Sequence, residues 1–262
     1  MKPAGRAALS VVFFVRNEEA RIRKALESVS WADERVLIDD ASTDGTARIG
    51  EELGATVVCC EYSGGKFYER RNFGFQKCKG PWVLLMDPDE IVSPDLRAGI
   101  EKVLTHPGEY LGFTFWRENY FLNQRLDHGG WRQKTLRLFH KDRGGDPTGL
   151  LHQGIEVNGP VGHIESAIAH YPFEPLSDFF TKQNLYTDCE ALEMLERHRA
   201  QGQRFVLKQA RRRPLKVFTK MAIKKGGWRD GARGWILAGI YGWIEFLRWV
   251  KCWELMQNEA RS

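Results

Sequence analysis

The feature that most restricts this chain is an alternation, over its first hundred residues, between short β-branched apolar runs and longer segments with helical spacing. Leu9 to Val15 (LSVVFFV) reads as a buried strand. Asn17 to Ser28 reads as a helix, with Ala20, Ile22, Ala25 and Leu26 recurring at three- and four-residue intervals. The pattern continues with strands at Arg35 to Ile38, Ala55 to Cys60 and Trp82 to Met86, and helices at Thr46 to Leu53 and Phe67 to Cys78. Four strands separated by three helices predict an α/β fold: a mostly parallel sheet flanked by helices, with ligands at the carboxyl ends of the strands. With 262 residues, 42% of them hydrophobic, the chain is long enough to bury such a sheet on both faces.

The carboxyl ends of those strands are where polar residues collect. The first strand runs into Arg16, Asn17, Glu18 and Glu19, the second into Asp39, Asp40, Ser42, Thr43 and Asp44, and the fourth into Asp87, Asp89 and Glu90. Helix capping accounts for Asp44 to Thr46 and for Ser93 followed by Pro94. It does not account for Asp87 and Asp89, which follow a wholly apolar strand directly. Two carboxylates one residue apart, where a strand relaxes into a loop, can share a hard cation such as Mg²⁺ or Mn²⁺ whose remaining positions go to water and phosphate oxygens.

Beyond residue 110 the alternation is lost. A strand is expected at Thr135 to Phe139 and a helix over 176–200, preceded by aromatic and glycine-rich segments at Phe113 to Tyr120 and His128 to Trp131. The segment Ser63 to Lys66 has the look of a phosphate loop but lacks its earlier glycine and following hydroxyl residue, so it reads as a plain loop. Five cysteines, an odd number without zinc spacing, suggest neither a disulfide framework nor a structural metal, and so a reducing compartment. Neither a signal peptide nor a membrane-spanning helix is expected: the nearest apolar stretch, Gly234 to Val250, contains Glu245 and Arg248.

Charge divides the chain. Residues 1–196 hold 23 Lys+Arg against 30 Asp+Glu, whereas 197–262 hold 16 against 4. Nine of those cations fall within 204–225 among apolar residues, and Trp228, Trp235, Trp243, Trp249 and Trp253 follow. A basic, tryptophan-rich helical stretch suits the headgroup boundary of an anionic membrane. Nucleic acid is the rival anionic surface, and the absence of any recognition-module pattern argues against it. The organisation expected is a body over 1–200, with a nucleotide half at about 9–105 and an acceptor half at about 106–200, followed by a basic amphipathic helical extension over 201–262.

Four motifs taken together resemble family 2 inverting glycosyltransferases: SVVFFVRNEE (Ser10 to Glu19), VLIDDASTDGT (Val36 to Thr46), RRNFG (Arg70 to Gly74) and GPWVLLMDPDE (Gly80 to Glu90). LRLFH at Leu136 to His140, LHQGIEV at Leu151 to Val157, Gly159 to Gly162 and HYP at His170 to Pro172 are similar to the lipopolysaccharide-core β-glucosyltransferase subgroup. The resemblance implies a GT-A fold, a nucleotide-sugar donor (a UDP-sugar first), a saccharide or glycolipid acceptor, and cytoplasmic work on the inner membrane face. Carried onto this chain, it implies that Asp39 contacts uracil or ribose and that the turn from Val15 through Asn17 and Glu18 flanks the base. Asp87 lies near the ribose, Asp89 with Asp87 holds Mg²⁺ or Mn²⁺, and Arg71 contacts the nucleotide, while Arg70 reads as a solvated helix face. The subgroup leads one to expect an acidic residue before the LRLFH strand or a His–Glu pair after it. Here Lys134 and His152–Gln153 stand at those places. Glu156 is then the nearest acid for the role of general base, with Asp127 and Asp146 as the others; Trp131, His152 and Gln153 are expected to line the acceptor pocket. The altered pair also leaves open a non-catalytic nucleotide- or saccharide-binding membrane adaptor.

Overall fold

A computed structural model describes residues 6–60, 67–145, 155–200 and 207–259. In chain order the strands and helices are β1 (Leu9–Val15), α1 (Glu19–Ser28), β2 (Glu34–Asp39), α2 (Thr46–Glu52), β3 (Thr56–Cys59), α3 (Phe67–Lys77), β4 (Trp82–Met86), β5 (Glu90–Val92), α4 (Pro94–Thr105), β6 (Gly112–Phe121), β7 (Gln124–Arg125), β8 (Gln133–His140), β9 (Gly144–Gly145), β10 (Glu156–Val157), β11 (Val161–His170), α5 (Leu176–Ala200), α6 (Leu207–Thr219) and α7 (Gly231–Glu259). The chain groups into two compact units: residues up to 118 together with 133–170, and residues 119–132 together with 171 onward.

In the first unit the main sheet runs β3-β2-β1-β4-β8-β6-β11-β5. The first four strands are parallel, with Val12 of β1 paired to Val36 of β2 and to Leu85 of β4. That is the arrangement the alternation predicts. From β4 onward the sheet continues with antiparallel neighbours, β4 to β8, β8 to β6 and β11 to β5. The parallel strands read as unbroken apolar runs because both faces are covered. On one side Ile22 and Leu26 of α1, Ile49 of α2 and Leu96, Ile100 and Leu104 of α4 pack on Leu9, Val11, Phe13 and Leu84. On the other, Phe75 and Cys78 of α3 pack on Val12, Val36, Ile38, Val83 and Leu85.

Helix starts follow their local chemistry. The Ser93 hydroxyl accepts from the Leu96 amide at 3.2 Å with Pro94 in the first turn, as its sequence suggests. The first helix begins at Glu19 rather than at Asn17 because Asn17 adopts φ 55°, a left-handed conformation that asparagine tolerates and that no helix continues through. All five cysteines are free thiols.

Gly74, in the middle of α3, gives the RRNFG motif a physical reason. Glycine in a helix interior costs about 1 kcal/mol relative to alanine, so something must forbid the methyl group. A Cβ there would lie 2.5 Å from the Phe14 ring and 2.9 Å from Ile38 Cγ1. The close approach of α3 to the sheet, which carries Arg70 and Arg71 to the strand ends, depends on that missing carbon. Gly74→Ala is therefore expected to lower stability by about 1–3 kcal/mol through overpacking despite the gain in helix propensity. Urea denaturation checks this, and a stabilised variant would show that α3 has room to move outward.

The second unit is a hairpin of β7 with the end of β6, followed by helices. Phe121, Leu126, Phe173, Phe179, Leu237 and Ile244 form one core; Ala191 and Leu195 of α5 with Cys252 of α7 form another. A π-helical turn at Lys220–Lys224 and a 3-10 turn at Gly227–Asp230 link α6 to α7. Among the described residues no helix is long and apolar enough to cross a membrane.

Candidate active site

The loops that follow β1 and β2 are tied to each other. The Asn17 amide donates to Ser42 Oγ at 2.9 Å, and Asn17 Oδ1 accepts from the Thr43 amide at 2.8 Å. The Glu18 amide donates to Thr46 Oγ1 at 2.8 Å, and the Glu19 carboxylate accepts from the Gly45 amide at 2.9 Å. Much of the polar rim read from the sequence is thus spent on holding the rim's shape. Glu18, almost fully buried, accepts from Arg21 at 2.6 Å. Val15 is buried at the end of β1, and Asp40 bonds back to its carbonyl through a 2.9 Å amide hydrogen bond.

Asp39 closes β2 with 2% of its surface exposed. One of its carboxylate oxygens accepts from the hydroxyl of Ser42 and, at 3.3 Å, from its amide. Arg70, read from the sequence as a solvated helix face, is instead engaged: its Nη1 donates to Asp40 Oδ2 at 2.9 Å and its Nη2 to the Val15 carbonyl at 3.3 Å. The pair compensates Asp40 where the chain leaves the sheet, and Arg70 also sits over the Phe14 ring at 5.8 Å. Arg71 is buried, its guanidinium carbon 5.9 Å from the Phe75 ring centre.

At the end of β4 the structure assembles a second cluster within the same unit. Arg137 of β8 donates to Asp87 Oδ2 at 2.6 Å and lies 3.4 Å from Glu90 Oε1. Arg117 of β6 approaches the same Glu90 oxygen at 3.4 Å, while the other Glu90 oxygen accepts from the Asp87 amide at 2.9 Å. His170, the last residue of β11, pairs in register with Glu90; its Nε2 lies 3.4 Å from Asp89 Oδ1 and 2.6 Å from Arg117 Nη2. Glu90 is completely buried, whereas the Asp87 side chain keeps 40% of its surface exposed and Asp89 keeps 19%.

These surroundings push the carboxyls apart. Loss of water pushes the Glu90 carboxyl up, and the two arginines do not reverse it. Loss of water also raises Asp87, but the Arg137 guanidinium, with help from Arg117, more than cancels that and holds its pKa below the ordinary value. Burial alone would lower Arg137; Asp87 and Glu90 raise it instead.

Sequence reasoning brought Asp87, Asp89 and Asp39 to this rim, singled out His170 only as a residue for the acceptor pocket, and missed Arg117 and Arg137. The signal for Arg137 was present: a charge inside LRLF, an otherwise apolar strand, requires a buried partner. Arg117 and His170 needed the antiparallel half of the sheet, which the alternation does not predict. Glu156 is exposed on β10, paired across to Gly145 of β9. Asp127 pairs with Arg125 at 2.8 Å. Trp131 belongs to the second unit, where its ring meets Phe173 and Tyr241 edge-on at 5.5 and 5.0 Å. Asp146, His152, Gln153 and the Ser63 to Lys66 loop lie outside the described residues.

Acidic rims at the carboxyl ends of parallel strands, with an Asp-x-Asp turn leaving the fourth, occur here in a chain whose relatives make it a glycosyltransferase of the GT-A fold, acting on nucleotide-sugar donors. The chain belongs to glycosyl transferase family 2, whose model matches residues 10–155. It is 26% identical over 259 residues to the lipopolysaccharide core biosynthesis glycosyltransferase LpsC of Rhizobium meliloti (strain 1021), covering 97% of this chain and 94% of that protein. It is also 25% identical over 260 residues to an uncharacterized glycosyltransferase of Rickettsia typhi, covering 94% and 87%. Among solved structures it is similar to the mannosyltransferase of Pyrobaculum calidifontis in complex with GDP-Man and Mn²⁺, at 15% identity and TM-score 0.49 over 71% of this chain and 63% of that one.

Proposed function

We propose that this protein is an inverting hexosyltransferase that moves a sugar from a UDP-sugar to a lipid-linked saccharide such as lipopolysaccharide core, working as a peripheral protein on the cytoplasmic face of an anionic membrane. The observation that carries the chemistry is the partly open Asp87–Pro88–Asp89 turn at the end of a buried parallel strand. The acceptor class rests on the near full-length likeness to LpsC.

Two oxygen-donor side chains fit a hard divalent cation that takes one or two protein carboxylates and fills its shell with phosphate oxygens and water. Asp89 and Asp87 would hold Mg²⁺ or Mn²⁺, which when bound neutralises the charge developing on the departing diphosphate. Arg137 keeps Asp87 ionised for that task. Asp39, oriented by Ser42, accepts a hydrogen bond from the uracil or ribose, with the Val15, Asn17 and Glu18 turn beside the base. Arg71 offers forked donors to the nucleotide.

The acceptor oxygen attacks the anomeric carbon from the side opposite the diphosphate, and a carboxylate takes its proton. Glu156, exposed on β10, is our assignment for that base, with His152 and Gln153 assigned to the acceptor. Glu156→Gln is expected to lower kcat by about 10²–10⁴ while leaving UDP binding unchanged. Transfer of radiolabelled sugar from UDP-hexose to glycolipid from a deletion strain tests the whole reading. Unchanged turnover in Glu156→Gln would return the role to Asp127 or Asp146, and no transfer from any nucleotide sugar would overturn the function.

A further inference from the structure

The outward side of α7 has the wrong chemistry for water. Its inner side is accounted for: Leu237, Ala238, Ile244, Trp249 and Cys252 are buried, and Arg248 reaches Glu190 of α5 at 3.4 Å. At about 100° per residue, Trp235, Ile236, Trp243, Phe246, Val250 and Trp253 fall on one outward arc, and no charged residue shares it before Glu254. Trp235, Ile236, Trp243 and Trp253 keep between 43% and 53% of their surface exposed. A surface helix of a water-soluble unit normally turns its polar residues outward; this one turns out a ridge of about 30 Å that is apolar throughout.

Cations run beside the ridge. Phe218 of α6 lies 5.8 Å from Trp235, and a Cβ at Gly242 would come within 3.3 Å of the Pro214 carbonyl, so α6 lies against α7. Exposed on α6 and the turn after it are Arg211, Arg212, Arg213, Lys216, Lys220 and Lys224, and no Asp or Glu occurs between Glu196 and Asp230. A second copy of this surface would bring like charges together. Nucleic acid would use the cations and stack on indoles, but would leave Ile236 and Val250 in water. An anionic bilayer satisfies both: acyl chains receive the ridge, lipid phosphates receive the cations, and indoles take the boundary between them.

We infer that α7 lies in the plane of an anionic bilayer with the Trp235 to Trp253 ridge seated at the headgroup–acyl boundary, and that this apolar contact, more than the basic segment, holds the protein there. The inference rests on the reading of the protein as acting on a lipid-linked acceptor, yet its test needs no transfer reaction. Full-length protein is floated with phosphatidylcholine vesicles with and without phosphatidylglycerol, then washed in 1 M NaCl (roughly a 3 Å screening length). The wild type is expected to bind the anionic vesicles, to stay bound through the wash, and to show a blue-shifted tryptophan emission. Trp235→Glu with Trp243→Glu, at exposed positions, is expected to lower partitioning at least tenfold with UDP binding intact; Arg212→Glu with Lys216→Glu is expected to slow capture at low salt and to change the salt-washed fraction less. Complete release by salt, indifference to the tryptophan changes, self-association that the tryptophan changes abolish, or preferential capture by RNA would each overturn the inference. Failure to bind vesicles alongside transfer to detergent-dispersed acceptor would sink this inference and the membrane placement but leave the transfer reaction standing; vesicle binding without transfer would sink the transfer reaction and leave this inference standing.

Discussion

Replacing Asp89 by alanine is expected to lower kcat/KM for sugar transfer by about a thousandfold or more. Charge neutralisation by a bound divalent cation is worth several kcal/mol in the transition state, and each 1.36 kcal/mol is about tenfold in rate. Asp89 lies 3.4 Å from His170, and Asp87 receives Arg137 at 2.6 Å. Asp89→Ala should abolish the dependence of UDP affinity on Mn²⁺, read by calorimetry with and without the metal. Asp87→Ala should lose activity as well, and because it strips Arg137 of its closest anion its melting temperature should fall. Metal-stimulated transfer persisting in Asp89→Ala would remove Asp89 from the site.

What could be read from the sequence divides along the same line as the sheet. In its parallel half each strand is buried on both faces and each connection is a helix, so runs such as LSVVFFV and WVLLM announced β1 and β4 with their observed ends. The carboxylates at the ends of those strands were legible for the same reason, since a polar residue just past an apolar run has to lie at the rim. The antiparallel half was legible only at β8, expected at Thr135 to Phe139 and found at Gln133–His140. β6 and β11 are ten residues each, with apolar and polar positions mixed because their faces are unequally covered, and β5 has only three residues. Arg117, Arg137 and His170 reach the site from that half, so the acids were visible in sequence and their counter-ions were not. Arg70 was misread for a related reason: helical spacing says which side a residue is on, but not that a carboxylate from the neighbouring strand end waits there. In the extension, the tryptophans were read as one group; the structure turns Trp249 inward, with its indole N–H donating to Glu245 at 3.0 Å, and leaves Trp228, Trp235, Trp243 and Trp253 outward.

The second large effect is expected from Arg137. Arg137→Met should destabilise the protein by about 3–5 kcal/mol, the usual cost of removing one partner of a buried ion pair, which is a fall in melting temperature of roughly 6–20 °C for a chain of this size. The cause is not the lost Arg137–Asp87 bond alone, because Asp87 can turn to water. It is Glu90, which has no water contact and whose oxygens face Arg137, Arg117 and the Asp87 amide. A double-mutant cycle distinguishes these accounts. Glu90→Gln keeps an acceptor for the Asp87 amide and removes the charge, so it should cost less than Arg137→Met. Combined with Arg137→Met it should cost less than the sum of the two single changes, because the second change removes the anion that the first had stranded. Strictly additive melting-temperature losses would show that Arg137 serves Asp87 alone, and that the Asp87–Pro88–Asp89 turn keeps its shape without the buried charge behind it.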